Sequence, residues 1–404
     1  MAADVSRIIS AVRSGGDAAL LQLTADLDRV ELDRLSVSAD EAMRAERELP
    51  AAARTAITVA MQNVRRFHEA QQVPPLRVET APGVVCERVM RAIPAVGLYV
   101  PAGTAPLPST AIMLAVPAVL AGCSVRVLCT PPRADGRADP AVVVAARACG
   151  IETIFKLGGA QAIAAMAYGT ASVPKVDKIF GPGNAWVTAA KQAVAMDPAG
   201  AALDMPAGPS EVMVIADAFA NARYVALDLL SQAEHGTDSQ VLLVTTDVAL
   251  PGRVRGEIAA ALPGLPRRDI IRQSLAHSSA IVVSSLDVAT EVANRYAPEH
   301  LILQVASPRE LVPAISCAGS VFLGPWTPES VGDYCSGTNH VLPTYGYARA
   351  YSGLALADFQ RRMTLQELTR DGLAGLAPTV QALASLEGLD AHAAAVRVRL
   401  ESTP

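Results

Sequence analysis

The sequence predicts an α/β protein with two Rossmann-like parallel-sheet domains and helical N- and C-terminal segments. Three observations lead there. From Ala95 onward, short runs rich in valine and isoleucine alternate with alanine-rich stretches of helical period. A break rich in proline and glycine, Met205-Pro206-Ala207-Gly208-Pro209-Ser210, then restarts the same alternation. Both ends of the chain carry apolar residues at spacings of three and four. Strands that alternate with helices are joined by crossovers, and crossovers build parallel layers covered by helices on both faces.

Taken in order, residues 1–72 read as amphipathic helices. The first layer follows as strand 96–100, helix 110–121, strand 125–129, helix 139–149, strand 153–157, helix 160–168, strand 178–180 and helix 186–195. The second runs as strand 211–216, helix 222–235, strand 241–245, helix 254–262, strand 280–283, helix 288–295 and strand 301–305. Residues 358–400 return to helical spacing. The division expected is a first α/β domain of residues 1–100 plus 211–355, which carries the N-terminal helices. A second α/β domain spans 101–210, and a helical C-terminal segment spans 356–404.

Composition narrows the function. The 404 residues are 51% hydrophobic with a formal net charge of −5 and no run of like charge. A nucleic acid or an anionic membrane surface finds no electrostatic footprint on such a chain, so a small-molecule partner is expected. Residues 1–20 lack the basic start and apolar core of a secretory signal, and the apolar stretch 112–123 is short and broken by Pro117. The six cysteines (86, 123, 129, 149, 317, 335) show no paired CxxC spacing and read as buried reduced thiols. The expected location is cytoplasmic.

Histidine is scarce, and four of the six sit in polar, turn-bounded segments with acids or amides: His235, His300, His340 and His392. Imidazole accepts protons near neutral pH and binds borderline metals, so this company points to an enzyme. His68 and His277 lack it and read as structural. Gln232 and His235, three apart near a helix end, share a face at a spacing that suits a metal ion. Asp333 and His392 are further donors that could complete a mixed nitrogen and oxygen set, although spacing alone does not show that they meet. Glu299-His300, an acid beside a base after Pro298, faces a loop cleft, with Ala297 expected to be extended before the proline. An ordinary surface pair would have the same spacing. Three loops, at residues 99–109, 157–161 and 180–184, place glycines between a strand and a helix, where free N–H groups can take a phosphate. None is a GxGxxG fingerprint, and ordinary strand-to-helix turns use glycine too.

The strings LDMPAGPSE (203–211), SQAEHGTDSQ (231–240), NRYAPEHL (294–301), GDYCSGTNHVLPT (332–344) and FQRRMTLQ (359–366) stand in order along the chain. Together they resemble the histidinol dehydrogenase family from about residue 5 to about residue 398. Ala102 departs from it where the family usually carries a second glycine. The resemblance implies a zinc-dependent enzyme that oxidises L-histidinol to L-histidine through L-histidinal with two NAD+, the last steps of histidine biosynthesis. It also implies a homodimer with one zinc per subunit. Carried over residue by residue, the metal ligands are Gln232, His235, Asp333 and His392, and the acid/base pair is Glu299 and His300. The NAD contacts are Tyr99, Gln161 and Asn184, which associates the 101–210 domain with NAD. The substrate contacts are Ser210, Gln232, His235, His300, Asp333, Glu387 and His392. The resemblance further implies that Glu387 and His392 serve the partner's site. A relative acting on another alcohol, such as a sulfonated diol, is the alternative, and the presence of both Glu387 and His392 favours histidinol over it.

Overall fold

The computed structural model describes residues 1–102, 105–206 and 208–401. Gly103 and Thr104 of the first glycine-rich loop, and Ala207 of the Pro/Gly break, lie outside the described residues. The chain divides into two compact units, residues 1–71 with 93–359, and residues 72–92 with the chain from Gln360 onward.

In the first unit, three helices come first: α1 (Ala2–Leu23), α2 (Ala39–Glu48) and α3 (Ala51–Glu69). In the second unit, β1 (Leu76–Ala81) and β2 (Val84–Ala92) form an antiparallel hairpin. The first unit resumes with β3 (Ala95–Tyr99), α4 (Pro108–Ala121), β4 (Val125–Thr130), α5 (Pro140–Ala148), β5 (Thr153–Lys156), α6 (Gly159–Tyr168), β6 (Lys178–Phe180), α7 (Ala185–Ala195) and β7 (Ala202–Leu203). These strands make one parallel sheet in the order β5-β4-β3-β6-β7. The restart after the Pro/Gly break gives β8 (Glu211–Ala216), α8 (Ala222–Ala233), β9 (Gln240–Thr245), α9 (Leu250–Ala261), α10 (Arg268–Leu275), β10 (Ser279–Val282), α11 (Leu286–Tyr296), β11 (His300–Gln304), α12 (Pro308–Leu311), β12 (Ser320–Leu323) and α13 (Glu329–Tyr334). Its parallel sheet runs β10-β9-β8-β11-β12. Both sheets therefore share one doubly wound order, centred on their first strand, as two similar alternations would produce.

The central strands have apolar interiors because helices cover both faces, and β8 and β11 are buried at every position. The N-terminal helices depart from expectation. Val5, Ile9, Val12 and Leu20 join the core of the first sheet with α6, and Ile57, Ala60 and Val64 pack with α4. They belong to the 95–203 layer and not to the 211–323 layer. β3 is the middle strand of that first layer, so the boundary expected at residue 100 falls inside a sheet. The reason is register: β3 pairs along its length with β4 and β6, contacts that a reading of local period cannot see.

The C-terminal segment is also not wholly helical. β13 (Gln360–Leu368) pairs antiparallel with β2 from Gln360↔Ala92 to Leu368↔Val84. It is exposed along most of its length, so no clean alternation marked it as a strand. Then α14 (Arg370–Glu387), capped by Thr369, and α15 (Asp390–Glu401) form a helical pair hinged at Gly388 in the left-handed region. Among the described residues no helix is long and apolar enough to cross a membrane.

Candidate active site

The second sheet brings Glu299 and His300 to its amino edge. β11 pairs with β8 in the register His300↔Val212, which sets Glu299 opposite Glu211. The backbone N–H of Glu211 donates to Glu299 Oε2 at 2.8 Å, and the N–H of Tyr345 donates to Glu211 Oε1 at 2.9 Å. Gly319 fits behind them because a Cβ there would stand 2.6 Å from the Glu299 carbonyl oxygen. Ala297 is not extended, as its place before Pro298 suggested. It is left-handed (φ 57, ψ 63), and its N–H closes α11 on the Ala293 carbonyl at 2.7 Å. This helix-ending conformation also avoids the right-handed region that a following proline disfavours, and it turns the chain sharply into the pair.

Both members are buried, and their electrostatics follow. Burial pushes the Glu299 carboxyl up to about 7, against the pull of nearby His300. At His300 burial disfavours the charge, but Glu299, Glu329 and Asp333 around the ring outweigh it and raise the imidazole to about 10. Its Nδ1 lies 3.1 Å from the Glu211 carbonyl oxygen, which can only accept, so Nδ1 carries the hydrogen. Nε2 is buried with no hydrogen-bond partner among the described residues, 3.5 Å from Asp333 Oδ1.

The donors for a metal come from two helix ends. α8, capped by Asn221, stops at Ala233, two residues short of the expected end, and leaves His235 on the turn beyond it. Gln232 lies in the last turn of α8, where the carbonyl end of the helix favours a cation. α13 places Glu329 and Asp333 four apart, on one face. One ligand atom each from His235, Glu329 and Asp333 lie within 4.8 Å of one another. With the Gln232 amide beside them, this nitrogen and oxygen set fits a borderline divalent cation such as zinc.

Facing this edge is the carboxyl edge of the first sheet. Gly181, φ 121, follows β6 where a Cβ would stand 2.1 Å from the Tyr99 carbonyl oxygen, so only glycine closes the turn. Buried Lys191 pairs with Asp204, and its Nζ donates to the Gly181 carbonyl at 2.9 Å. Asp204 Oδ2 accepts from the Gly181 N–H at 2.8 Å, so the ion pair clamps the Gly181-Pro182-Gly183-Asn184 turn from both sides. Asn184 Oδ1 caps α7, accepting from Trp186 and Val187 at 3.1 and 3.2 Å. A cavity of about 640 Å³ lies between the two edges, lined by Asn184, Ser210, His235, Glu299, His300 and Asp333, among others. Its size suits a small ligand.

Of the other expected site residues, Tyr99 and Gln161 are buried together. The N–H of Gly159 donates to the Tyr99 hydroxyl at 3.1 Å, and Gln161 Nε2 donates to Asp28 at 3.1 Å. Glu387 ends α14 and His392 lies on α15, both exposed in the second unit. His68 is structural as expected: it is buried, with Nδ1 2.8 Å from the Val64 carbonyl oxygen. Sequence reading missed Glu329 and the buried Glu211. Glu329 had one available signal, its spacing of four to Asp333.

The family model for histidinol dehydrogenase matches residues 1–400. The chain belongs to the histidinol dehydrogenase family. A member named histidinol dehydrogenase from Xanthomonas axonopodis pv. citri is 58% identical over 396 residues, 98% of this chain and 92% of that one. Another from Photobacterium profundum is 57% identical over 397 residues, 98% of this chain and 89% of that one. The crystal structure of histidinol dehydrogenase from Elizabethkingia anophelis matches with a TM-score of 0.96 at 46% identity, covering 99% of this chain and 92% of that chain. Membership in this family makes the chain a dehydrogenase, and its parallel-sheet architecture is the family's own.

Proposed function

We propose that the chain oxidises L-histidinol to L-histidine through bound L-histidinal, passing two hydrides to two NAD+, with one zinc ion per subunit. The observation that carries this reading is the buried Glu299-His300 pair at one cavity with His235 and Asp333, with the Gln232 amide buried against His300. Zinc, when bound, supplies positive charge that orients the substrate's nitrogens and offsets the carboxylates that otherwise hold His300 protonated. Gln232, His235 and Asp333 are the ligands this subunit offers, and His392 of a second copy is the fourth. Ser210 and His300 contact the substrate from this subunit and Glu387 from the second. Tyr99, Gln161 and Asn184 are the NAD contacts.

In the first step His300 Nε2 takes the hydroxyl proton as the carbinol C–H leaves as hydride, giving the aldehyde. Glu299 then takes a proton from water as that water adds to the aldehyde carbon, while His300 returns its proton to the carbonyl oxygen to give the diol. His300 Nε2 removes a proton from the resulting diol as the second hydride leaves, giving the carboxylic acid, which ionises to the carboxylate. The partner contribution is supported by the surroundings of Glu387 and His392: Leu383, Leu386 and Leu389 are 54%, 83% and 40% exposed, an apolar patch suited to a second copy. The six cysteines are all unpaired thiols, which supports a reducing cytoplasmic setting.

The test is NADH formation from L-histidinol by the full-length enzyme. Two NADH per L-histidine are expected, with activity lost to a chelator and restored by zinc. No NADH from the zinc-loaded enzyme would overturn the reading.

A further inference from the structure

We infer that Glu329 is a positioning residue, whose buried carboxylate holds the amide nitrogen of Gln232 so that the amide oxygen is the end turned to serve a metal ion. The inference rests on the proposed role of Gln232 as a ligand. Gln232 is fully buried and Glu329 is 1% exposed. One end of the Gln232 amide lies 2.6 Å from Glu329 Oε1 and 3.2 Å from Oε2. That end faces only acceptors and the other end only donors, so that end is the nitrogen. The same nitrogen is 3.2 Å from His300 Nδ1, but the hydrogen on Nδ1 is already committed to the Glu211 carbonyl, which leaves Glu329 as the acceptor.

The need for such a residue is chemical. An amide is a weak neutral ligand with two ends of nearly equal shape, and only its oxygen is a useful donor to a divalent cation. A half-turn about its last torsion would present the nitrogen instead. A hydrogen bond to the nitrogen opposes that turn in a site closed to water. The fold supplies the acceptor from the first residue of α13, the same short helix that carries Asp333, so ligand and support move as one piece. Both Glu329 oxygens face the amide nitrogen, although one also lies with His235 and Asp333, so the coupling to Gln232 is what separates this role from that of a ligand.

A double-mutant cycle on zinc affinity tests it, using the full-length enzyme stripped of metal and titrated with zinc against a chromophoric chelator. Glu329→Met, close in volume but without an acceptor, is expected to weaken zinc binding about 10- to 100-fold, the usual loss when a ligand's support is removed. In a Gln232→Ala background the same change is expected to cost nothing further. Glu329→Gln keeps an acceptor oxygen and is expected to bind zinc close to wild type, which also provides a readable variant if Glu329→Met does not fold. Additive losses, a Glu329→Gln enzyme as weak as Glu329→Met, or unchanged affinity in Glu329→Met would each overturn the inference. Wild-type affinity in Gln232→Ala would instead remove Gln232 as a ligand, a failure of the underlying reading that the single variant identifies by itself.

Discussion

His300 keeps a hydrogen on Nδ1, tied to the Glu211 carbonyl, so Nε2 is the nitrogen that gives up its proton when the ring is neutral and then faces the cavity as an acceptor. Glu299, one residue earlier, is fixed by the Glu211 N–H through its carboxylate. Because the proposed mechanism has the two groups take different protons, their removal is expected to have different signatures. His300→Asn is expected to slow both oxidation steps by about two to four orders of magnitude. Glu299→Gln is expected to slow chiefly the oxidation of histidinal. Rates with histidinol and histidinal supplied separately check this, and a His300→Asn enzyme of normal rate would remove the residue from the mechanism. The pH dependence has a definite sign. With its carboxyl pushed up to about 7, Glu299 becomes a base only as pH rises through that value, so the aldehyde step should climb there and the Glu299→Gln enzyme should lose the climb.

Helix α8 serves the site with its carboxyl end and carries a stability burden in its middle. Asp228 on this helix is buried, its carboxyl accepting from Gln304 Nε2 at 3.5 Å, and burial pushes it up to about 7. A carboxyl whose pKa is raised on folding is protonated in both states at low pH. As pH rises from about 4 to about 7 the unfolded chain ionises first, and native stability falls over that window. Asp228→Asn does not titrate. Its melting temperature is therefore expected to gain on wild type from about pH 4 to about pH 7 and to hold a constant lead above, worth no more than about 4 kcal/mol. Thermal melts at pH 4, 5.5 and 7 check it, and a lead independent of pH would show that Asp228 does not titrate in this range.

Across the whole molecule, the residues proposed for the site are divided between the two units. Glu299, His300, Gln232, His235 and Asp333 belong to the unit with the two parallel sheets, while Glu387 and His392 belong to the smaller unit, exposed beside apolar leucines. If a second copy supplies His392, two inactive chains can rescue each other. Mixing His392→Ala with His300→Asn under subunit exchange leaves one site with both lesions and one with neither, so activity should return to about half of wild type per mixed dimer. No recovery after verified exchange would place both residues in the same subunit's site.

Much of this was legible without coordinates, for a definite physical reason. Strand, helix and cap preferences are local, so the alternation after Ala95 and its restart after Ser210 determined two parallel α/β layers. Likewise, the Glu299-His300 dipeptide and the Gln232/His235 spacing are visible within a few residues. What only the tertiary structure decided depends on pairing between distant segments. The register of β11 on β8 sets Glu299 against Glu211, 88 residues away. The antiparallel contact of β13 with β2 makes a strand of a polar stretch that had read as helix. The packing of the N-terminal helices on the first sheet, and the burial that makes Glu329 a partner of Gln232, follow from the same cause. Local period records which face of an element is apolar, whereas the partner of that face is chosen only when the whole chain is packed.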